Sequence, residues 1–470
     1  MTSDKPLETP APACSASYTG KQPPPFGHQL LKYFSFDPGY VNLNNGSYGA
    51  TPTPVSEACK VISDEVEANP DKFIRLTYEA RWIRCRQRVA DLIGAEVEEC
   101  VLVQNTSHGL DNVLRSIDWK KGDFIIKTNI TYGPVVNAIR FIADANPGVI
   151  LETVDIGPPY ALDGIFKSFE EGFKRVQSSP EYAALTEQGQ RPRIVVVVDT
   201  LSSLPGLLMP WERVVGFCKG HENVWTLVDA AHALGQIVGI NLNKTQPDFW
   251  ISNCHKWMSA KRACAVLYVP RRNQHIIKTT LPTSAFYVSP NDYAKDPTLP
   301  KPPNFVKQFE WTGTHDPTPY LSIGPALDFR EWLGGEEKIN GYCRDLAIRG
   351  GQRLAEILGT EEMDQTPNHE VTLNMVNVKL PLPDTPKDAV KVVIDGFFKK
   401  KLLLGWNAFA PPFYLHGSWW VRCSAQIWND ISDFEYMGNA YKELSAQVIE
   451  SIIDEKGELR EGYTATISVH

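Results

Sequence analysis

A lysine at position 256 stands in the run ISNCHKWMSAKRACAVLYVP, bracketed by His255 and Trp257. On either side lie FWIS (Phe249 to Ser252) and ACAVLYV (Ala263 to Val269), two stretches that read as buried strands. An ammonium group held near a core must be paired, deprotonated or covalently modified. Asp229, 27 residues upstream, ends another apolar run, WTLVDAAH. Together the two residues suit a pyridoxal phosphate site, with Lys256 forming the Schiff base and Asp229 facing the pyridinium nitrogen. The carboxylate would keep the ring protonated and able to accept electrons from a substrate α-carbon, and the displaced lysine would then act as general base. Each residue alone has a plainer reading: Lys256 as a lysine snorkelling from a strand end, Asp229 as the cap of a helix starting at Ala230.

Further residues fit the same chemistry. In VQNTSHGLDNVLRS, Thr106, Ser107 and His108 open a helix after the strand CVLV, where amide N–H groups and the helix dipole favour an anion such as the cofactor phosphate. His255 can add a donor there. Tyr132 of NITYGP can stack on the ring, and Ser202 or Ser203 of DTLSSLPG can bond the phenolic oxygen, although both motifs equally suit turns. Arg422, embedded in WWVRCSAQIW, needs an anionic partner: either a substrate carboxylate, which a guanidinium matches bidentately, or a structural ion pair.

The elements that must position these groups follow from the apolar pattern. CVLV, DFIIK, GVILETV, RIVVVVD, WTLVD and DFWIS read as strands, with helical stretches such as Gly133 to Ala145 and Ile165 to Gln177 between them. The expected fold class is α/β, a mostly parallel sheet of about seven strands covered by helices on both faces. Ligands of such sheets gather beyond the carboxyl ends of the strands, which is where the candidate residues fall. Leu281 to Pro303 reads as a surface loop. Beyond it come helices over Leu321 to Leu333 and Glu337 to Leu358, a strand in VTLNMVNVKLP, a strand in SWWVRCSAQIW and a helix from Asp433. The expected domains are a disordered tail over 1–25, a large cofactor domain over 26–310 and a smaller α+β domain over 311–470.

Composition narrows the class. The 470 residues carry a formal charge of −8 with no dense basic run, which argues against a nucleic-acid surface. No apolar run is long enough to span a bilayer. The first 25 residues lack a secretory or transit pattern, and the nine cysteines form no CxxC pair or metal-like spacing. A cytoplasmic protein with reduced thiols and no metal is the expectation.

With these residues in place, the chain resembles the class V aminotransferase family of fold-type I pyridoxal phosphate enzymes. It is most similar to a fungal branch holding the ergothioneine-pathway C–S lyase, cysteine desulfhydrase-like and isopenicillin N epimerase-like proteins, and a loline-pathway Mannich cyclase. NLNNGSYG, NTSHG, TYG, DTLSSLPG, VDAAHALG, SNCHKW, RNQHIIKTTLPTS, FEWTGT and RCSAQIWNDISDFE carry the resemblance. It implies Lys256, Asp229 and Tyr132 at the ring, and Thr106, Ser107, His108 and His255 around the phosphate. It also implies His232 beside the cofactor, Arg422 on the substrate carboxylate, and a homodimer in which Thr314 reaches the partner's phosphate. Two departures stand out: Asn45 where the family reads His in NHGSFG, and no cysteine at Val154-Asp155-Ile156, where the ergothioneine lyases carry one. C–S cleavage of a cysteine-like amino acid is the leading expectation, with carbon–carbon bond formation or epimerisation as the alternatives.

Overall fold

The computed structural model describes residues 18, 20–278, 281, 285–385 and 387–460. Most of the expected tail, and part of the Leu281 to Pro303 loop and of the RNQHIIKTTLPTS motif, lie outside them. Twelve strands are present among the described residues: β1 (Val41–Asn42), β2 (Cys100–Val103), β3 (Phe124–Thr128), β4 (Ile150–Val154), β5 (Ile194–Asp199), β6 (Val224–Asp229), β7 (Phe249–Asn253), β8 (Ala265–Tyr268), β9 (Met375–Lys379), β10 (Ala408–Phe409), β11 (Pro412–Leu415) and β12 (Ser418–Ser424). Seven of them form a sheet in the order β2-β8-β7-β6-β5-β3-β4. Pairing is parallel for β3 with β4 and β5 and for β6 with β7, and antiparallel where β8 meets β2 and β7. Runs such as CVLV, FWISN and AVLY are apolar on both sides because both faces are covered, so they are buried throughout.

The chain forms two compact units. One contains Ala50–Trp119 and Thr226–Glu336 together with the chain up to Pro23. Its helix Thr106–Ser116 lies close on β7, since a Cβ at Gly109 would sit 2.8 Å from Ile251 Cγ2. That approach sets the helix start just beyond β2. Nearby, Arg86 is stacked 4.5 Å from the Trp82 ring, donates to the carbonyl of Cys100 at 2.6 Å and lies 3.9 Å from the Glu98 carboxylate, so the buried cation is satisfied.

The other unit contains Pro24–Gly49, Lys120–Trp225 and Glu337–His470. Here β9, β11 and β12 make a small antiparallel sheet in the order β11-β12-β9. Val376, Val378, Trp419, Val421 and Cys423 pack with Leu354, Phe398, Phe434 and Tyr441 from the helices Gly335–Leu358, Asp388–Gly405 and Ile431–Ser451. Asp430 and Asp433 form a reciprocal capping box at the start of the last helix. The final strand stops at Ser424, short of the expected SWWVRCSAQIW, because Ala425 turns away to donate to the Asn374 carbonyl.

Candidate functional site

Asp229 is the last residue of β6, and Lys256 lies in the turn that follows β7. In an open parallel sheet both are therefore at strand carboxyl ends. Asp229 is buried, and one carboxylate oxygen accepts the Ala231 amide at 2.9 Å; this closes a turn, and no helix starts at Ala230 for it to cap. Burial pushes its carboxyl pKa up, opposed by the Ala231 amide and by the charge of Lys256. A carboxylate in that position is most stable beside a cation. Lys256 Nζ is 3.2 Å from His232 Nε2, and the indole of Trp257 donates to His232 Nδ1 at 3.2 Å. His232, read from resemblance alone, is thus brought directly to the lysine.

The lysine turn is held rigidly. Gly235 has φ +81°, and a Cβ there would lie 2.5 Å from the Trp257 carbonyl carbon. Arg330, buried on the helix Ile323–Trp332, donates to Trp257 O at 2.7 Å and Gly235 O at 3.1 Å, and is balanced by Glu336 at 2.5 and 2.6 Å. Gly235→Ala is expected to destabilise the chain by about 3 kcal/mol or more, through backbone overlap and positive-φ strain together. Denaturant titration reads this directly, and a change under about 0.5 kcal/mol would remove the rigidity argument.

At the phosphate-type end, Asn105 caps the helix through the His108 amide at 2.8 Å, and Asn253 accepts the Thr106 amide at 3.0 Å. The Ser107 amide lies outside these bonds. Thr106 Oγ1 is buried and, among the described residues, has no hydrogen-bond partner. A buried orphan hydroxyl at a helix N-terminus fits an anionic ligand.

His255 sits in the lysine turn. Its Nδ1–H donates to Cys264 O at 3.0 Å, which leaves Nε2 as an acceptor. Burial, opposed by the Cys264 carbonyl and helped by Lys256 and Arg262, lowers its pKa from 6.5 to about 4. The ring is neutral at pH 7 and braces the turn. The unfolded chain takes up a proton near pH 6.5 and the folded chain only near pH 4, so His255 contributes stability above that window and loses it as pH falls through it. The stability difference between wild type and His255→Gln is therefore expected to shrink on acidification across this range. A difference independent of pH would refute the assignment.

The other unit holds the second cluster. Arg422 is 1% exposed, and its guanidinium donates to Asn44 Oδ1 at 2.9 Å, Ser47 Oγ at 3.0 Å and Ser203 O at 2.8 Å. Asn377, its cross-strand partner on β9, clamps Gly206 through both backbone groups at 2.9 and 3.2 Å. Ser202 is a turn residue here: its hydroxyl donates to Pro205 O at 2.8 Å. The loop meets Arg422 through the Ser203 carbonyl instead. Asn45 is buried one residue beyond Asn44, at the start of a single helical turn. Tyr132 caps the helix Gly133–Ala145 with 44% of its surface exposed, and Thr314 is exposed in the first unit. Asn44, Ser47 and Asn377 carry no assigned role in the sequence reading, where the first two lie within NLNNGSYG and Trp257 stands only as a neighbour of Lys256.

A buried carboxylate for a cationic ring nitrogen, a lysine amine, and an orphan hydroxyl at a helix N-terminus form a donor set that fits pyridoxal phosphate. No family model matches the chain. It is 32% identical over 453 residues to the L-cysteine desulfhydrase-like protein lolT1 of Epichloe uncinata, covering 90% of this chain and 97% of that one. Hercynylcysteine sulfoxide lyase of Schizosaccharomyces pombe is 32% identical over 420 residues, with 89% and 97% covered. The isopenicillin N epimerase of Amycolatopsis lactamdurans is 23% identical over 419 residues, with 87% and 96% covered. Among solved structures, a cysteine desulfurase from Thermococcus onnurineus NA1 superposes with a TM-score of 0.66 at 20% identity, covering 90% of this chain and 99% of that one. The cystine C–S lyase C-DES, in complex with cysteine persulfide, gives 0.64 at 16% identity, with 87% and 98% covered. These structural likenesses establish the fold. On the strength of the two fungal relatives, the chain belongs to the class V aminotransferase family of pyridoxal phosphate enzymes, in the branch of the L-cysteine desulfhydrase-like proteins and hercynylcysteine sulfoxide lyase.

Proposed function

We propose that this protein is a lyase that cleaves the C–S bond of a cysteine-like amino acid, with pyridoxal phosphate as cofactor. The observation that carries the reading is Lys256 Nζ held 3.2 Å from His232 in a turn adjoining the buried Asp229. The names borne by the relatives support sulfur as the leaving atom. When bound, the cofactor supplies an electron sink for the pair released at the substrate α-carbon. Lys256 would take the α-proton through its amine, Asp229 would hold the proton on the ring nitrogen, and Thr106 with the Ser107 amide would hold the phosphate. Arg422, aimed by Asn44, Ser47 and the Ser203 carbonyl, would bind the substrate carboxylate. The sulfur then leaves the β-carbon with the bonding pair and takes a proton, and the remaining fragment hydrolyses to pyruvate and ammonia. A homodimer with Thr314 offered to the partner's phosphate, and a cytoplasmic setting, complete the proposal.

Incubation with cysteine, cysteine-conjugate sulfoxides and cystine, read by mass spectrometry, tests it. Pyruvate, ammonia and a freed sulfur species are expected. A product that keeps the sulfur and differs only in configuration would instead favour epimerisation, the activity named in one relative.

A further inference from the structure

Trp257 follows Lys256 directly, is fully buried, and points its indole N–H at His232 Nδ1 from 3.2 Å. An indole nitrogen only donates, so the ring nitrogen facing it must carry a lone pair. A neutral imidazole has one N–H, which must then be on Nε2; an imidazolium would set N–H against N–H. Nε2 is the atom 3.2 Å from Lys256 Nζ. Its hydrogen finds an acceptor there only when the lysine nitrogen has a lone pair, which an ammonium lacks.

We propose that Trp257 is a positioning residue that fixes His232 as the Nε2–H tautomer and so holds Lys256 as a neutral, nucleophilic amine, ready to capture the cofactor aldehyde. The inference rests on the pyridoxal phosphate reading of Lys256, and not on which bond the enzyme breaks. In the capture, Nζ bonds to the aldehyde carbon, and the aldehyde oxygen leaves as water with the two amine hydrogens. The indole cannot swing out of line, because its own carbonyl is held by Arg330 and its backbone is packed on Gly235. The charged and titratable groups facing Lys256 include Asp229 on β6, His232 in the segment after β6 and His255 in its own turn. Asp229 pulls toward the ammonium. His255 is neutral and adds no charge at pH 7. The fixed Nε2–H opposes Asp229.

The test uses the full-length chain stripped of cofactor and labelled with ¹⁵N-histidine, the His232 signals being assigned by their loss in His232→Gln. Nδ1 is expected to be unprotonated and Nε2 protonated from about pH 6 to about pH 9. In Trp257→Phe the signals should move toward a mixture that includes the Nδ1–H form. Capture of added pyridoxal phosphate, followed by absorbance, should slow about tenfold at pH 7 and recover at higher pH, as expected for loss of one buried hydrogen-bond constraint. A protonated Nδ1 in the wild type, or capture by Trp257→Phe with unchanged rate and pH profile, overturns the proposal. If Trp257→Phe fails to fold by circular dichroism, the wild-type tautomer decides alone. Failure of the wild type to capture pyridoxal phosphate at all would instead sink the cofactor reading. Absence of pyruvate from sulfur substrates would sink only the lyase reading.

Discussion

Lys256→Ala is expected to lower turnover by at least about a thousandfold, because it removes both the covalent anchor and the general base. Borohydride reduction of the wild type followed by peptide mapping should place a pyridoxyl adduct on Lys256, and the variant should show none. The fold should survive: the side chain is only partly buried, and the turn that carries it is held by backbone contacts from Arg330 and by Gly235, neither of which uses the lysine head. Circular dichroism and a denaturation midpoint close to wild type would show that the loss is chemical. A short primary amine added to the variant should restore a little activity, since it can take over the proton transfer without the tether. An adduct on another lysine, or turnover within about tenfold of wild type, would end the assignment.

The strands of the large sheet were legible because their pattern is local: CVLV, IVVVVD and FWISN are apolar on both sides and flanked by turns, and each is a strand within a residue or two of its expected ends. Lys256 and Asp229 were legible for the same reason, as charged groups at the edges of such runs. What escaped was tertiary pairing. Whether His255 donates or accepts depends on the Cys264 carbonyl, a backbone group that sequence does not mark. Ser203 acts through its carbonyl, so the residue name carries no signal, while the hydroxyl of Ser202 is taken by its own turn. Asn44 and Ser47 matter because β12 brings Arg422 to them from 378 and 375 residues away along the chain. The use of Trp257 depends on the direction of its N–H, which sequence does not mark.

Arg422 separates two readings that sequence left open, a structural ion pair and a substrate anchor. Its three bonded partners are neutral acceptors, and no carboxylate among the described residues is within reach of it. Burial pushes its pKa down to about 10, with Cys423 and Tyr48 acting the other way, so it remains a cation at neutral pH. Nε is buried and, among the described residues, has no hydrogen-bond partner. A desolvated cation lacking an anion is costly in the free protein, and a substrate carboxylate relieves that cost on binding. Arg422→Lys is therefore expected to raise KM for amino acid substrates about a hundredfold, because a point charge cannot reproduce the two-pronged contact, while kcat changes by less than about tenfold. Arg422→Met gives the sharper contrast. If the arginine balanced a buried carboxylate, removing it would strand that charge and cost about 3–5 kcal/mol. With no such carboxylate, the expected change in unfolding free energy is within about 1–2 kcal/mol, as the loss of three neutral hydrogen bonds is offset by removal of an uncompensated charge. Stability near wild type together with loss of carboxylate recognition, read as indifference between an amino acid and its methyl ester, is the combination that only a binding role produces.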